Sequence, residues 1–403
     1  MGLFLNIYAR TYQGVLWLAA HFLSFKEPKL YSGAGSISKI PEILLKKNKK
    51  NPLIVTDEGI YKIGLQNSLI ESLEKEKINY AFYHNVVANP TVSNVEVGLR
   101  LYQKCNCDSL IALGGGSAMD CAKAIGARVV KSKKQVNQMK GLLKIRKKLP
   151  FLIAIPTTAG TGSETTVAAV IVDKEKNDKY AINDPVLIPR VAILEPNLLV
   201  GLPKNISSTT GMDALTHAIE AYIGHSNTHK SKKYAIDVIK LIFEYLVKSV
   251  ENPTNLEYRE KMQIASYKAG VAFTRAYVGS VHAIAHSLGG KYNIPHGLAN
   301  AIILPIVLKA YGDKINKKLT KLATYIGINS SNKDDLALLF IREIENLNEK
   351  MGVSNTFGSL IKDEDISFLV DHSYNEAVPL YPTPKILSKV ELAVIFKILQ
   401  ESR

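Results

Sequence analysis

The sequence predicts an α/β domain with a largely parallel sheet, followed by an all-helical domain. Three observations carry this. Between Lys29 and Pro196, short apolar runs rich in Ile, Leu, Val and Ala alternate with segments of helical period. Two of the apolar runs end in loops of glycine or small polar residues, GGGS and PTTAGTGSE. From Ser207 onward almost every segment has helical period. A chain of 403 residues is long enough for two ordinary cores. The expected organisation is an N-terminal extension over 1–28, the α/β domain over 29–202 and the helical domain over 203–403, with the boundary at Leu202–Pro203.

In chain order, KLYSGAGSISKIPEILLKK reads as strand, glycine turn and helix. PLIVTDEGI is a strand ending at Asp57, SLIESLEKEK a helix, NYAFYHNV a strand closed by the Asn89–Pro90 turn, and TVSNVEVGLRLYQKCN a helix. DSLIALGGGSAMDCAKAIG reads as strand, glycine loop and helix, and FLIAIPTTAGTGSE as a strand running into a polar loop. TTVAAVIVD, YAIND and RVAILEP add strands to the sheet. Beyond Pro203, GMDALTHAIEAYI, KKYAIDVIKLIFEYLVKSV and YREKMQIASYKAGVAFTRA are helices. The turn after the helix containing VHAIAHS is marked by Gly289, Gly290 and Pro295.

The first 28 residues contain GVLWLAAHFLSF, an apolar run of about twelve residues, too short to span a bilayer. No convincing small-residue cleavage site follows, and Asn6 stands where a myristoylation start needs Ser or Thr. The expectation is an amphipathic helix whose apolar residues, among them Leu16, Trp17, Leu18 and Phe22, pack on the chain's own surface or across a dimer contact.

A hydrophobic content of 46% with 22% charged residues is that of a globular protein. The net charge of +15 comes mostly from dispersed lysine; one dense run, Lys131 to Lys148, reads as a solvated surface loop. No nucleic-acid-binding motif accompanies the charge, so no nucleic-acid partner is expected. Cys105, Cys107 and Cys121 form neither a disulfide framework nor a zinc spacing, which points to a reducing, cytoplasmic compartment.

Four of the nine histidines fall in two short apolar segments. In GMDALTHAIE, Asp213 and His217 are four apart and share a helix face. In VHAIAHSLGGKYNIPHG, His282 and His286 have the same spacing, and His296 follows a turn. Imidazoles and a carboxylate are costly to bury without partners. A shared divalent metal held by Asp213, His217, His282 and His296 would satisfy them. Gly114, Gly115, Gly116 and Ser117 lie at a strand–helix junction, where the helix N-terminus offers free N–H groups to a phosphate. This is not the GxGxxG fingerprint, and the acidic residue expected about 20 residues later is missing. Asp57, at the end of an earlier strand, takes that place as a ribose partner and disfavours a 2′-phosphate. The loop Pro156 to Glu164 offers five hydroxyl or carboxylate side chains, read as ribose and nicotinamide contacts.

Together GGGSAMDCAK, PTTAGTGSE, GMDALTHAIEAY and VHAIAHSLGGKYNIPHGLANAIILP closely resemble the iron-containing (group III) alcohol dehydrogenases, from about Lys29 to the C-terminus. The resemblance implies a Rossmann-like nucleotide-binding domain joined to a helical metal-binding domain, the dehydroquinate synthase-like fold. It implies that Asp213, His217, His282 and His296 are the metal ligands, that Gly114 to Ser117 form the pyrophosphate loop, and that Asp57 is the adenosine-ribose residue of NAD-preferring members. Asn89, Asp120, Thr157, Thr158, Thr161 and Lys179 fall on cofactor-contacting positions, and Ala168 stands where some members carry Asn. His286 matches the additional histidine near the metal and becomes the candidate proton relay. The cofactors implied are NAD and Fe2+, with Zn2+ as an alternative. The substrate implied is a primary alcohol or diol, or the corresponding aldehyde, and the assembly a homodimer. The competing reading is an NAD- and metal-dependent lyase on the same scaffold; apolar Ala214, Leu215, Ala283, Ile284 and Leu288 in the metal segments favour an uncharged alcohol instead.

Overall fold

The computed structural model describes residues 2–21, 25–176, 178–330 and 335–401. The chain forms two compact units, neither of them a single stretch. One comprises residues 24–202 and 253–267, the other 1–23, 203–252 and 268–403.

The chain opens with helix α1 (Gly2–His21), which belongs to the second unit. Its attachment to the chain's own surface differs from the apolar packing expected there. Ala9 is fully buried and Gln13 nearly so, and the Arg10 and Gln13 side chains donate to backbone carbonyls of residues 379–383. Phe4, Ile7, Tyr8, Val15 and Leu18 face solvent, Trp17 is exposed, and Leu16 is half-buried; Phe22 lies outside the described residues. The partner surface is a row of loop carbonyls, which need donors rather than methyl groups. No helix among the described residues is long and apolar enough to cross a membrane.

The α/β unit runs β1 (Lys29–Ser32), α2 (Ile40–Lys46), β2 (Pro52–Asp57), α3 (Glu58–Lys62), α4 (Asn67–Lys75), β3 (Ala81–Val86), α5 (Val92–Lys104), β4 (Ser109–Gly114) and α6 (Gly116–Val130). It continues through β5 (Gly141–Leu142), β6 (Phe151–Pro156), β7 (Ala168–Asp173), β8 (Asp178–Asn183) and β9 (Val191–Leu194). Among the described residues the main sheet is parallel throughout, in the order β1-β9-β6-β4-β2-β3. Its central strands are continuous apolar runs, Leu53–Val55 and Leu110–Leu113 being fully buried, as befits strands covered on both faces. The order reverses between β2 and β4, and ligands of open α/β sheets bind outside the strand C-termini at such a point.

Two expectations are corrected in this unit. β7 and β8 do not extend the main sheet; they pair antiparallel in a second sheet of order β5-β8-β7. The run Lys131 to Lys148 is more than a solvated loop. It buries Val136, Met139 and Ile145, and its β5 pairs with β8, leaving lysine side chains to project from an ordered segment.

The helical unit is built from α7 (Lys204–Ile223), α8 (His229–Glu251), α9 (Leu256–Ala276, from Lys268 onward), α10 (Ser280–Tyr292), α11 (His296–Tyr311), α12 (Asn316–Tyr325), α13 (Leu336–Lys350), α14 (Ile366–Ala377) and α15 (Lys389–Gln400). α7 packs on α8 and α11, and α10 on α11 and α14. Every residue from Gly211 to Ile223 is buried, so α7 is the core helix of this unit. Gly289 and Gly290 do not form the expected turn: α10 continues through them to Tyr292, and Asn293 ends it in the left-handed conformation (φ 55°). Pro295 then precedes α11.

Candidate metal centre and nucleotide loop

α7 presents Asp213 and His217 on one face, α10 supplies His282, and α11 begins at His296. One ligand atom from each of these four residues lies within 4.8 Å of all the others. Asp213 Oδ1 is 3.9 Å from His217 Nδ1, 3.9 Å from His282 Nε2 and 3.5 Å from His296 Nε2. Donors about 2.1 Å from one tetrahedral ion are separated by roughly 3.4 Å, so the set fits a divalent metal with little adjustment. Asp213, His217 and His282 are buried, whereas His296 is partly open. Three imidazoles and one carboxylate suit Fe2+ or Zn2+ alike.

The surroundings orient these donors. Glu220 Oε2 lies 2.6 Å from His282 Nδ1, and the Glu220 carboxylate also accepts from the backbone N–H groups of Gly279 and Val281 at 2.7 and 2.8 Å. A proton held at Nδ1 leaves Nε2 as the ligand nitrogen, a recurrent arrangement around metal-binding histidines. With no cation bound, burial pushes Glu220 up to about 8 against those hydrogen bonds and drives His282 well below the ordinary imidazole value, with the neighbouring imidazoles adding to the effect; a divalent ion on Nε2 would reverse this balance and favour the Glu220 carboxylate accepting from Nδ1–H. Asn300 Nδ2 donates to Asp213 Oδ1 at 2.7 Å and lies 3.2 Å from His296 Nε2. The Phe273 ring stacks on His217 with centroids 4.1 Å apart.

His286 lies beside the cluster, its ring stacked on that of His296 at 5.1 Å. Its Nδ1 is 2.6 Å from Glu376 Oε1, which also accepts from the Tyr381 hydroxyl at 2.7 Å. Ala214, Leu215, Ala283, Ile284 and Leu288 are all in the core, at most 1% exposed, so they report helix packing rather than the polarity of a substrate.

Sequence reasoning missed Glu220, Asn300, Glu376 and Tyr381. Glu220 and Asn300 carry a local signal, an acid three residues beyond His217 in the apolar last turns of α7 and an amide one turn beyond His296. Glu376, 90 positions from His286, carries none.

In the α/β unit, Asp57 ends β2 and Gly114 ends the adjacent β4. Asp57 Oδ1 caps α3 by accepting from Ile60 N at 3.0 Å. Gly114 has φ 155°, and a Cβ there would lie 2.6 Å from Ala118 Cβ and 3.6 Å from Asp57 Oδ2. Only glycine fits this turn from β4 into α6, because any side chain would collide with Ala118 in the first turn of the helix. Thr158 and Thr161 face Gly115 and Gly116, and Thr157 N donates to Gly114 O. Ser117 Oγ accepts from Asn89 N at 3.2 Å, and Lys179 Nζ donates to Asn89 Oδ1 at 2.8 Å. These expected contact residues thus cluster around one helix N-terminus. Asp120 turns elsewhere: it accepts from Ser163 Oγ at 2.9 Å and Val170 N at 3.0 Å.

Beneath this loop Lys123 is fully buried, its ammonium donating to Ser163 Oγ, Thr166 Oγ1, Thr166 O and Ala168 O at 2.8–3.2 Å. Burial pushes Lys123 down to about 8 and the neighbouring Glu164, 1% exposed, up to about 7.

Residues 27–196 match the family described as iron-containing alcohol dehydrogenase, and residues 207–400 match the Fe-containing alcohol dehydrogenase family, C-terminal. The chain is 34% identical to the NAD-dependent methanol dehydrogenase of Bacillus methanolicus over 93% of its own length and 98% of that protein's. It is 37% identical to alcohol dehydrogenase 4 of Schizosaccharomyces pombe, over 91% and 86% of the two chains. The crystal structure of a 1,3-propanediol oxidoreductase superposes with a TM-score of 0.89 at 33% identity, over 93% of this chain and 99% of that one.

Proposed function

The chain belongs to the iron-containing alcohol dehydrogenase family, and from that premise we propose that it catalyses reversible hydride transfer between a primary alcohol or diol and NAD, giving the aldehyde or ketone. The observation that carries the proposal is the convergence of Asp213, His217, His282 and His296 within 4.8 Å, in a helical unit separate from the one that opens a glycine loop at the head of α6. A divalent metal bound there acts as a Lewis acid that favours loss of the alcohol proton. Around it, Glu220 holds His282 in one tautomer, Asn300 engages Asp213, and Phe273 supplies an apolar wall against His217. His286, with Nδ1 tied to Glu376, is assigned the transfer of the alcohol proton through Nε2.

On the cofactor side, the first-turn N–H groups of α6 are assigned to the pyrophosphate, and Thr157, Thr158, Thr161, Asn89 and Lys179 to the rest of NAD. Asp57 is assigned to the adenosine ribose, where its charge would repel a 2′-phosphate. Asp120 is given a supporting part, since its carboxylate already serves Ser163 and Val170. The lyase reading is not favoured, because the relatives matched are alcohol dehydrogenases. We place the enzyme in the cytoplasm as a homodimer; its three free cysteines support the reducing compartment, and the family resemblance supports the dimer.

The test is NADH and NADPH absorbance assays over a panel of primary alcohols, diols and aldehydes, with metal analysis of the same preparation. A bound divalent metal, alcohol oxidation and a preference for NAD that narrows in Asp57→Gly are expected. His282→Ala is expected to lose metal and turnover while staying folded. Full metal content and turnover in that variant would refute the ligand assignment.

A further inference from the structure

The helix α1 lies outside both matched family segments, yet its side chains bond the backbone of the 379–383 loop, whose Tyr381 side chain bonds Glu376 beside the metal cluster. Gln13, 5% exposed, donates from Nε2 to Tyr381 O at 2.8 Å and Pro379 O at 2.9 Å. Arg10 Nη1 donates to Thr383 O at 2.7 Å and to Gln13 Oε1 at 2.9 Å, so the two side chains brace one another. Tyr381 O also accepts from Thr383 N at 2.8 Å, and His225 N donates to Pro382 O at 2.8 Å, which holds the loop from a second side. From this loop the Tyr381 hydroxyl donates to Glu376 Oε1, the oxygen that receives His286 Nδ1. The Glu376 carboxyl is raised by burial, but His286 and Tyr381 bring it below its ordinary value, so it is a carboxylate acceptor for both. The stacked ring of His296 completes the path to the cluster.

We propose that α1 is a positioning element for proton transfer, with Gln13 and Arg10 fixing the 379–383 backbone so that Tyr381 and Glu376 hold His286 in one tautomer and one orientation. The inference rests on the assignment of His286 as proton relay. In the oxidation, the alcohol C–H bond breaks and its electron pair leaves as hydride to C4 of the nicotinamide. The O–H bond breaks and its proton passes to His286 Nε2, while Nδ1–H stays on Glu376. The partly open His286 side chain, 36% exposed, then releases the Nε2 proton to solvent. With Glu376 or its support removed, the ring is free to rotate and to exchange tautomers, and only a fraction of molecules presents a basic nitrogen to the substrate. Gln13, Arg10, Tyr381 and Glu376 are thus positioning residues, whereas His286 meets the substrate proton.

The experiment compares the full-length, metal-loaded enzyme with His286→Ala, Glu376→Gln, Tyr381→Phe, Gln13→Ala and Gln13→Glu, the last isosteric but unable to donate to carbonyls. For each variant kcat, KM for alcohol and for NAD, the solvent deuterium isotope effect on kcat, metal content and melting temperature are measured. The low-field Nδ1 proton resonance of His286 is followed in the zinc-loaded form and identified by its loss in His286→Ala. The His286→Ala variant is expected to lose kcat by about 10²-fold or more. Both Gln13 variants are expected to lose roughly three- to tenfold in kcat, a fraction of the same contribution, with KM for NAD and metal content unchanged. Their isotope effect is expected to rise, and the low-field resonance to shift or broaden. If His286→Ala keeps kcat, the relay assignment itself falls. If His286→Ala loses kcat while both Gln13 variants keep the wild-type kcat, isotope effect and resonance, the relay stands and the role of α1 is overturned. A kcat loss in the Gln13 variants that only tracks lost metal, with isotope effect and resonance unmoved, also overturns it.

Discussion

Buried carboxylates decide much of the chemistry at the scale of single residues. Glu220 is the acceptor for His282 Nδ1, and partners of this kind typically contribute 10- to 100-fold to metal affinity. Glu220→Gln should therefore weaken metal binding by about 10- to 100-fold, read by competition against a calibrated chelator. Wild-type affinity in that variant would remove Glu220 from the site. Glu164 has a different signature. Its ordinary value of 4.5 is raised to about 7 in the folded protein, so the native state binds the proton more tightly than the unfolded chain. Folding stability from this group is intact below pH 4.5, falls as pH rises towards 7, and the full cost remains above pH 7. Glutamine carries no charge at any pH. Glu164→Gln should gain stability relative to wild type as pH rises from 5 to 8, by at most on the order of 3 kcal/mol, read as a growing difference in melting temperature. A difference independent of pH in thermal scans would show that the buried carboxyl does not titrate in this window.

Among the elements, the β4–α6 junction is the most constrained. Gly114 combines φ 155° with a Cβ position 2.6 Å from Ala118, whereas a Cβ on Gly115 meets nothing nearer than Thr158 Oγ1 at 3.6 Å. Gly114→Ala should lower the melting temperature through about 1–3 kcal/mol of backbone strain, and it should weaken NADH binding at least tenfold as the head of α6 shifts. Gly115→Ala should leave the melting temperature within a degree or two. Fluorescence titration with NADH and a thermal melt check both, and wild-type NADH affinity in Gly114→Ala would dissociate this junction from the cofactor. α1 is a second instructive element. An apolar stripe that looks ready for docking is left uncovered by the chain's own fold, while Arg10 and Gln13 make the attachment. The hydrogen-bonding needs of the receiving loop chose which face turned inward.

For the molecule as a whole, the candidate ligands tie α7 to the consecutive helices α10 and α11, which follow it in the same unit only after α8 and α9. A ligand that binds only the folded state stabilises it by mass action, about 2.7 kcal/mol at a free concentration 100 times Kd. Stripping the metal with a chelator should lower the melting temperature by several degrees, and returning Fe2+ or Zn2+ should restore it. A melting temperature unchanged after verified metal loss would mean that the four side chains do not bind an ion in the folded protein. Because two compact units are present, the transition should be followed by calorimetry, where their contributions are separable.

The sequence by itself determined the alternation of strands and helices, the glycine loop at Gly114 to Ser117 and the pairing of Asp213 with His217 one helix turn apart, because each is encoded by local spacing; the convergence of that pair with His282 and His296 came from the packing of α7 and α10 on α11. A helix turn puts Asp213 and His217 on one face, and a strand followed by glycines marks where β4 ends, whatever the rest of the chain does. Tertiary structure alone decided what lies across a gap in the chain. It sent β7 and β8 into a second sheet, because strand pairing is chosen by which edges are available and not by strand propensity. It brought Glu376 to His286 over 90 positions, and Gln13 to Tyr381 over 368, through hydrogen bonds that leave no trace in local period or composition. It also turned the polar face of α1 inward, since burial depends on the partner surface that the helix meets.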